Sequence, residues 1–284
     1  MFKRLFSYLT LQIEPTRKCN LNCKMCMRNN LEGPVGSLSL DNFKEIVDSY
    51  NFRYVALHGW GEPLLNPEVF EMIKYAEAKG VHTNLTTNGT LIEENIGNVF
   101  NSGLREIAFG IYNKDVLLKF VPKLEKLMSE KARLNSETPK TYLDITIYAE
   151  SYDEIQDMIK LAKEAGIDAV ILHRLFNVYN VDPDVKYVSK NEEERLFHVV
   201  NELKKELKFE IYLPKRHSLP CRIVKYSVFV TYDGKLTPCC FLPEFSMGNV
   251  LESERGIGDI LKSQEYRGFI KNMGVHPVCG KCGW

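Results

Sequence analysis

The sequence predicts an α/β fold: a parallel sheet with helices outside it, followed by a small α+β segment. Three observations carry that prediction. Apolar stretches of strand character alternate with helical stretches through six consecutive units. Right-handed crossovers between such units curl the sheet. After residue 208 the alternation gives way to a hairpin pattern. The eight cysteines fall at 19–26, 221–240 and 279–282, with none between 27 and 220, so they mark two special regions rather than a disulfide scaffold.

In chain order, Tyr8–Ile13 reads as the first strand, ended by Pro15 and Thr16. Leu40, Phe43, Ile46, Val47 and Tyr50 recur at helical spacing behind a Ser39 cap. Tyr54–Leu57 is the second strand. In the next helix Asn66 is the expected cap, Pro67 fits the first turn and Gly80 is the stop. Val81–Thr87 is the third strand, closed by Asn88-Gly89, and a helix spans 93–101. Arg105–Ile111 is the fourth strand. The stretch 115–133 is helical, with Pro122 as a break or kink. Tyr142–Tyr148 alternates with period two, the fifth strand, and Ser151-x-x-Glu154 is a capping-box pattern for the helix ending at Gly166. Ala169–Leu172 is the sixth strand, and Ser189-x-x-Glu192 opens a helix through Lys205. Beyond it lie a hairpin with a two-residue Asp233-Gly234 turn and a helix from Asp259 to Met273.

The 284 residues are 44% hydrophobic and suit one large domain, or a large one with an appendage. Thirty-seven basic side chains balance 37 acidic ones, which argues against a dedicated nucleic-acid binder. No apolar run approaches the ~18–20 residues of a membrane span. Met1–Phe6 lacks a long apolar stretch and a cleavage site, so it reads as mature protein. With the thiol-rich motif, this points to a reducing cytoplasm.

Cys19-Asn20-Leu21-Asn22-Cys23-Lys24-Met25-Cys26 places three thiols in eight residues, spaced C-x3-C-x2-C. That density suits a soft metal or an iron–sulfur cluster. Three thiolates on a four-iron cubane leave one iron open, whereas a structural zinc site closes four ligands. The second group, Cys221, Cys239, Cys279 and Cys282, supplies four thiolates. These close either a [4Fe–4S] cluster or a zinc site. Cys240 is read as a small apolar residue or as a substitute ligand.

C-x3-C-x2-C after the first strand of a β/α chain resembles the signature of the radical S-adenosylmethionine (SAM) enzymes. Gly59-Trp60-Gly61-Glu62-Pro63 looks like that family's Gly-Gly-Glu-Pro segment. The resemblance implies a partial (β/α)6 barrel over residues 1–214. It implies a [4Fe–4S] cluster on Cys19, Cys23 and Cys26, whose open iron takes the amino and carboxylate groups of SAM. Reductive cleavage of SAM then yields a 5′-deoxyadenosyl radical, which takes a hydrogen atom from substrate. By the same resemblance, Met25 approaches the adenine, Gly59, Trp60, Gly61 and Glu62 meet the SAM amino group, and Tyr112 reaches the ribose. Thr87 and Asn88 end the third strand on the reactive rim, where a plain turn cap is the competing reading. Arg174, ending the sixth strand beside His173, is the candidate catalytic residue, binding or deprotonating substrate; a surface salt bridge competes. His58 stays unassigned.

The spacing Cys221-x12-Gly234-x4-Cys239, with Met247-Gly248-Asn249, resembles the first half of the SPASM signature. Residues 215–284 then form an auxiliary iron–sulfur domain of the shorter twitch type, similar to the 2-deoxy-scyllo-inosamine dehydrogenase type. Its [4Fe–4S] cluster, ligated entirely by Cys221, Cys239, Cys279 and Cys282, would accept an electron. Together these readings give a radical SAM oxidoreductase acting on a small molecule, served by a low-potential donor such as ferredoxin or flavodoxin. A maturase acting on a peptide or protein is the alternative, and a non-catalytic iron–sulfur carrier is the reading from another class.

Overall fold

The computed structural model describes residues 9–176, 183–215, 221–254 and 256–282. Its elements run β1 (Leu9–Ile13), α1 (Leu40–Asp48), β2 (Phe52–Leu57), α2 (Val69–Ala78), β3 (His82–Thr87), α3 (Ile92–Asn101), β4 (Glu106–Gly110), α4 (Lys114–Arg133), β5 (Lys140–Ile147), α5 (Ile155–Glu164), β6 (Ala169–Arg174), α6 (Lys190–Leu207) and β7 (Glu210–Tyr212). The C-terminal part adds α7 (Ile223–Tyr226), β8 (Ser227–Val230), β9 (Leu236–Thr237), α8 (Ile257–Ile260), α9 (Gln264–Asn272) and α10 (Pro277–Lys281). No helix among the described residues is long and apolar enough to cross a membrane. Tyr8, expected to open the first strand, lies outside the described residues.

Two compact units emerge from the contacts. The first combines 9–85 with the C-terminal segment from 221 onward. Within it β2 pairs in parallel with both β1 and β3, and β8 pairs in parallel with the other edge of β1. β9 then returns antiparallel to β8. The segment expected as an appendage therefore continues the sheet that carries the cysteine loop. β1 alternates as a half-buried strand should. Leu11 and Ile13 are fully buried, and Gln12 points to the opposite face, where its amide meets His58 and the Cys240 sulfur.

The second unit takes in 86–176 and 183–215. There β4, β5, β6 and β7 pair in parallel in sequence order. Leu143, Ile145, Val170 and Leu172 bury one face, and Leu117, Leu124 and Leu127 of α4 and Met158 and Ile159 of α5 are buried with them. The short strand β7 was not expected; its three residues, Glu-Ile-Tyr, are too few to show a period.

Several local expectations give way to longer-range partners. Ser39 and the Ser189/Glu192 capping box form as expected. Asn66 does not cap α2: its amide donates to the Pro15 and Leu38 carbonyls, and its oxygen accepts from the Glu68 amide. Pro122 neither breaks nor ends α4, which runs unbroken from Lys114 to Arg133; it lies on the exposed face, where water can reach the carbonyl it orphans. The Ser151/Glu154 capping box is absent. Residues Ala149–Glu154 form a 3-10 turn, and the Glu154 carboxylate instead accepts the Lys114 amide at the start of α4, at 2.9 Å. The hairpin loop holds three residues, Tyr232-Asp233-Gly234, because Thr231 bonds back to Lys235; Gly234 takes φ +85° in a bulged turn. The expected helix from Asp259 to Met273 is two: Ser263 caps α9 through the Tyr266 amide and separates it from α8.

One half-buried cluster in the second unit makes a pH prediction. A carboxylate oxygen of Asp168 accepts from Lys131 Nζ at 3.0 Å, the Thr141 amide at 2.7 Å and the Thr141 hydroxyl at 2.9 Å. Burial alone would raise its pKa, but these bonds outweigh it and hold Asp168 below the ordinary 3.8. A depressed folded pKa contributes stability above the unfolded pKa and loses it as pH falls through the folded one. Asp168→Asn should therefore lower the urea midpoint near neutral pH, with the gap to the wild type closing below pH 3.8.

Candidate functional site

Pro15, Thr16 and Arg17 carry the chain from β1 into the cysteine loop, all three buried. The Thr16 hydroxyl and the Arg17 amide both bond the Gly36 carbonyl, at 2.9 and 3.0 Å. The loop turns on a bond from the Cys26 amide to the Cys23 carbonyl, and Arg28 ties it across to the Leu21 carbonyl, each at 3.0 Å. Burial, then the neighbouring Cys26 and Cys19, push Cys23 up to about 11, while Arg28 pulls the other way. Burial likewise raises Cys26, against the hydrogen bond its sulfur accepts from the Arg28 amide. Cys23 thus feels both Cys26 and Cys19, so the three thiols neighbour one another, although among the described residues no group of three such side chains is arranged to hold a single metal ion. A donor set of three thiols on one loop suits the larger iron–sulfur centre.

The 59–63 turn is docked on this loop by glycine geometry. A Cβ at Gly61 would lie 2.1 Å from the Thr16 carbonyl oxygen and 2.6 Å from that of Lys18. The Glu62 amide bonds the same Lys18 carbonyl at 2.8 Å. A Cβ at Gly59 would meet Glu14 Cγ at 2.6 Å. Gly61→Ala should cost about 1–3 kcal/mol, since backbone rather than a side-chain tip must move. Gly97→Ala, on α3 with nothing within 4 Å, should be neutral or stabilising. Denaturant midpoints of the two variants check this.

Glu14, the first residue beyond β1, is the residue that sequence reasoning missed. Its carboxylate is fully buried. It accepts the Trp60 amide at 3.2 Å and pairs with Arg17 Nη2 at 3.0 Å. Arg17 in turn lies over the Tyr232 ring, 5.2 Å from its centroid, and the Tyr232 hydroxyl donates to the Pro34 carbonyl at 2.6 Å. One buried ion pair thus ties the start of the cysteine loop, the 59–63 turn and the hairpin together. The Glu62 carboxylate accepts the Leu64 amide at 3.0 Å. Met25 is buried within the loop.

The second cysteine group also converges. The Cys239 thiol, raised by burial, feels Cys240, Cys282 and Cys279. Cys282, pushed up to about 12 by burial, feels Cys221, Cys279 and Cys240. Cys279 feels Cys221. The Cys221 amide bonds Met273 Sδ at 3.1 Å, and His276 caps α10, which carries Cys279. Cys240, which both Cys239 and Cys282 feel, has a partner of its own: its sulfur accepts from the Gln12 amide, and burial pushes it up to about 11.

The remaining candidates belong to the second unit and are described there. The Thr87 hydroxyl accepts the Gly89 amide, and the Asn88 carbonyl oxygen accepts from the Thr90 amide and hydroxyl, the bonding of a turn cap. A Cβ at Gly110 would stand 3.8 Å from the Tyr112 hydroxyl and 3.9 Å from the Thr87 carbonyl, so the ends of β3 and β4 meet there. Arg174 is buried, with Nε on Glu193 at 2.6 Å and Nη1 on the Lys215 carbonyl at 2.7 Å. The salt bridge is therefore internal, between β6 and α6. His173 faces Asp144 at 3.2 Å; burial works against its charge, but the carboxylate outweighs it and raises its pKa.

Comparison with known proteins matches this arrangement. The radical SAM superfamily profile covers residues 13–185, and the SPASM iron–sulfur cluster-binding domain covers 221–283. The tungsten-containing aldehyde ferredoxin oxidoreductase cofactor-modifying protein of Pyrococcus furiosus is 23% identical, across 96% of this chain and 86% of its own. The AdoMet-dependent heme synthase of Methanosarcina barkeri is 27% identical, across 95% and 86%. Among solved structures, Streptococcus suis SuiB bound to precursor peptide SuiA superposes with a TM-score of 0.77 at 18% identity, covering 94% of this chain and 67% of SuiB. BtrN in complex with AdoMet and 2-DOIA gives 0.54 at 16%, covering 98% and 93%. The chain belongs to the radical SAM superfamily, an α/β enzyme of the partial-barrel kind that uses SAM and a [4Fe–4S] cluster and carries a further iron–sulfur site in its SPASM domain.

Proposed function

We propose that this enzyme is a radical SAM oxidoreductase that removes two hydrogens from a small organic substrate. The observation that carries the reading is the proximity of Cys221, Cys239, Cys279 and Cys282, with the neighbouring Cys240 sulfur already bonded by Gln12. A cluster ligated by four cysteines has no open iron for substrate, which leaves it the role of electron acceptor. The cofactors supply hydrogen-atom abstraction at the loop site and an electron sink at the auxiliary site. An alcohol oxidised there would lose its carbon-bound hydrogen atom to the 5′ carbon derived from SAM, then its hydroxyl proton to solvent and one electron to the auxiliary site, and would leave as a ketone. A low-potential donor such as ferredoxin or flavodoxin supplies the electron that cleaves SAM.

The chain's own residues hold the reactants. Cys19, Cys23 and Cys26 ligate the loop cluster and Gly59 to Glu62 present backbone to the SAM amino group; in the second unit Thr87, Asn88 and Tyr112, at the ends of β3 and β4, are the further SAM-binding residues. Because its guanidinium is engaged by Glu193, Arg174 acts by fixing the end of β6 against α6 rather than by taking a proton. Residues 1–214 are the core and 215–284 the auxiliary domain. The full-length relatives named for acting on a cofactor and for making heme support a small, non-peptide substrate. SuiB with its bound precursor peptide supports peptide modification as the second reading.

The test is product analysis with the anaerobically reconstituted chain, SAM, a strong reductant and panels of deuterated alcohols and peptides. Expected is one deuterium in 5′-deoxyadenosine and an alcohol product lighter by two hydrogens, with Cys221→Ala cleaving SAM but forming no oxidised product. Oxidation by Cys221→Ala at the wild-type rate would remove the auxiliary site from the reaction. Turnover confined to peptides would transfer the reading to maturation.

A further inference from the structure

Trp60 occupies the position where the family's Gly-Gly-Glu-Pro segment has a glycine, and its side chain leaves the turn altogether. Its indole N–H donates to the Cys240 carbonyl at 2.8 Å, and its ring tilts against Phe241 with centroids 6.0 Å apart. That carbonyl is one end of the Cys240–Phe241 peptide. The other end, the Phe241 N–H, is shared between the sulfurs of Cys239 and Cys240. A single peptide group therefore stands between Trp60 and a thiol of the auxiliary site. Gln12 closes the circuit: its amide bonds the Cys240 sulfur and His58, whose Nδ1 is 3.2 Å away, and His58 directly precedes Gly59-Trp60.

We propose that Trp60 is a positioning residue that tunes the auxiliary cluster and couples it to SAM bound at the 59–63 turn. The inference rests on the auxiliary-cluster reading above. Hydrogen bonds in series polarise one another, so an N–H donated to the carbonyl end strengthens the N–H at the far end. Donors to a cluster sulfur stabilise the added electron and raise the reduction potential. The Trp60 amide is fixed by Glu14 at 3.2 Å, so a ligand settling on the turn moves the indole only with the backbone that carries it. SAM occupancy is thereby transmitted to the Cys240–Phe241 peptide. Where electron acceptance must follow hydrogen abstraction, such a link readies the acceptor only when SAM is present.

The experiment is a redox titration of the auxiliary cluster by electron paramagnetic resonance, in the full reconstituted chain, with and without SAM. Trp60→Phe keeps an aromatic ring and loses the N–H. Its auxiliary cluster should be about tenfold harder to reduce, about 59 mV lower for a one-electron couple, and the shift that SAM causes in the wild type should vanish. 5-Fluorotryptophan, whose N–H is the stronger donor, should move the potential upward. The chain has two tryptophans, so this label is used in a Trp284→Phe background; it preserves shape should Trp60→Phe assemble poorly. Iron analysis and spectra of each protein come first. A wild type that assembles only one cluster overturns the auxiliary-cluster reading and this inference with it. Equal potentials and equal SAM responses across proteins that each carry both clusters overturn the inference alone.

Discussion

Cys23→Ala should abolish 5′-deoxyadenosine formation while leaving the auxiliary site loaded. The three loop thiols neighbour one another, and two thiolates do not retain a four-iron cluster that needs a third anchor. Reconstituted iron should fall by roughly half, and SAM should no longer perturb the remaining cluster signal. Cys221→Ala should show the complementary loss, keeping SAM cleavage. Cys240→Ser should retain both clusters, because its sulfur is bound by Gln12 rather than required as a ligand. Loss of a cluster in Cys240→Ser would reassign the ligand set.

Arg17→Met should destabilise the chain by about 3–5 kcal/mol, the usual cost of stranding a buried charge. Glu14 is fully buried and its side chain meets Arg17, the 59–63 turn and the hairpin loop. The double variant Glu14→Gln, Arg17→Met should recover much of that loss, since it removes the stranded charge along with the pair. Urea midpoints of the single and double variants measure the coupling. The loop cluster should be harder to reconstitute in the single variant, because the same carboxylate holds the Trp60 amide. Glu193 and Arg174 form the equivalent buried pair in the second unit, and Arg174→Met should cost a similar amount there.

Much of the fold could be read from local pattern. Apolar alternation located β1 to β6, the glycines at 80, 103 and 166 adopt positive φ at helix ends, and Ser39 and Ser189 cap where expected. The failures share a cause: a polar side chain with a local role available found a better partner far along the chain. Glu154 serves α4 instead of its own helix, and Asn66 bridges Pro15 and Leu38. The cysteines were legible because their chemistry depends on spacing. Glu14 was not, because a lone acid after an apolar strand carries no periodic signal. Its one trace was an acid three residues before an arginine, next to a cysteine loop. Trp60 was visible as a departure from the family's glycine, but its partner, 180 residues away in sequence, was not.

The most direct test of the central claim compares Cys23→Ala and Cys221→Ala by electron paramagnetic resonance, each with and without SAM. SAM should change the spectrum of Cys221→Ala, which keeps only the loop cluster with its open iron. It should leave that of Cys23→Ala, whose one cluster is closed by four cysteines, unchanged. A SAM-dependent change in Cys23→Ala would mean that the auxiliary cluster has an open iron, and the division between a SAM-binding site and an electron-accepting site would be wrong.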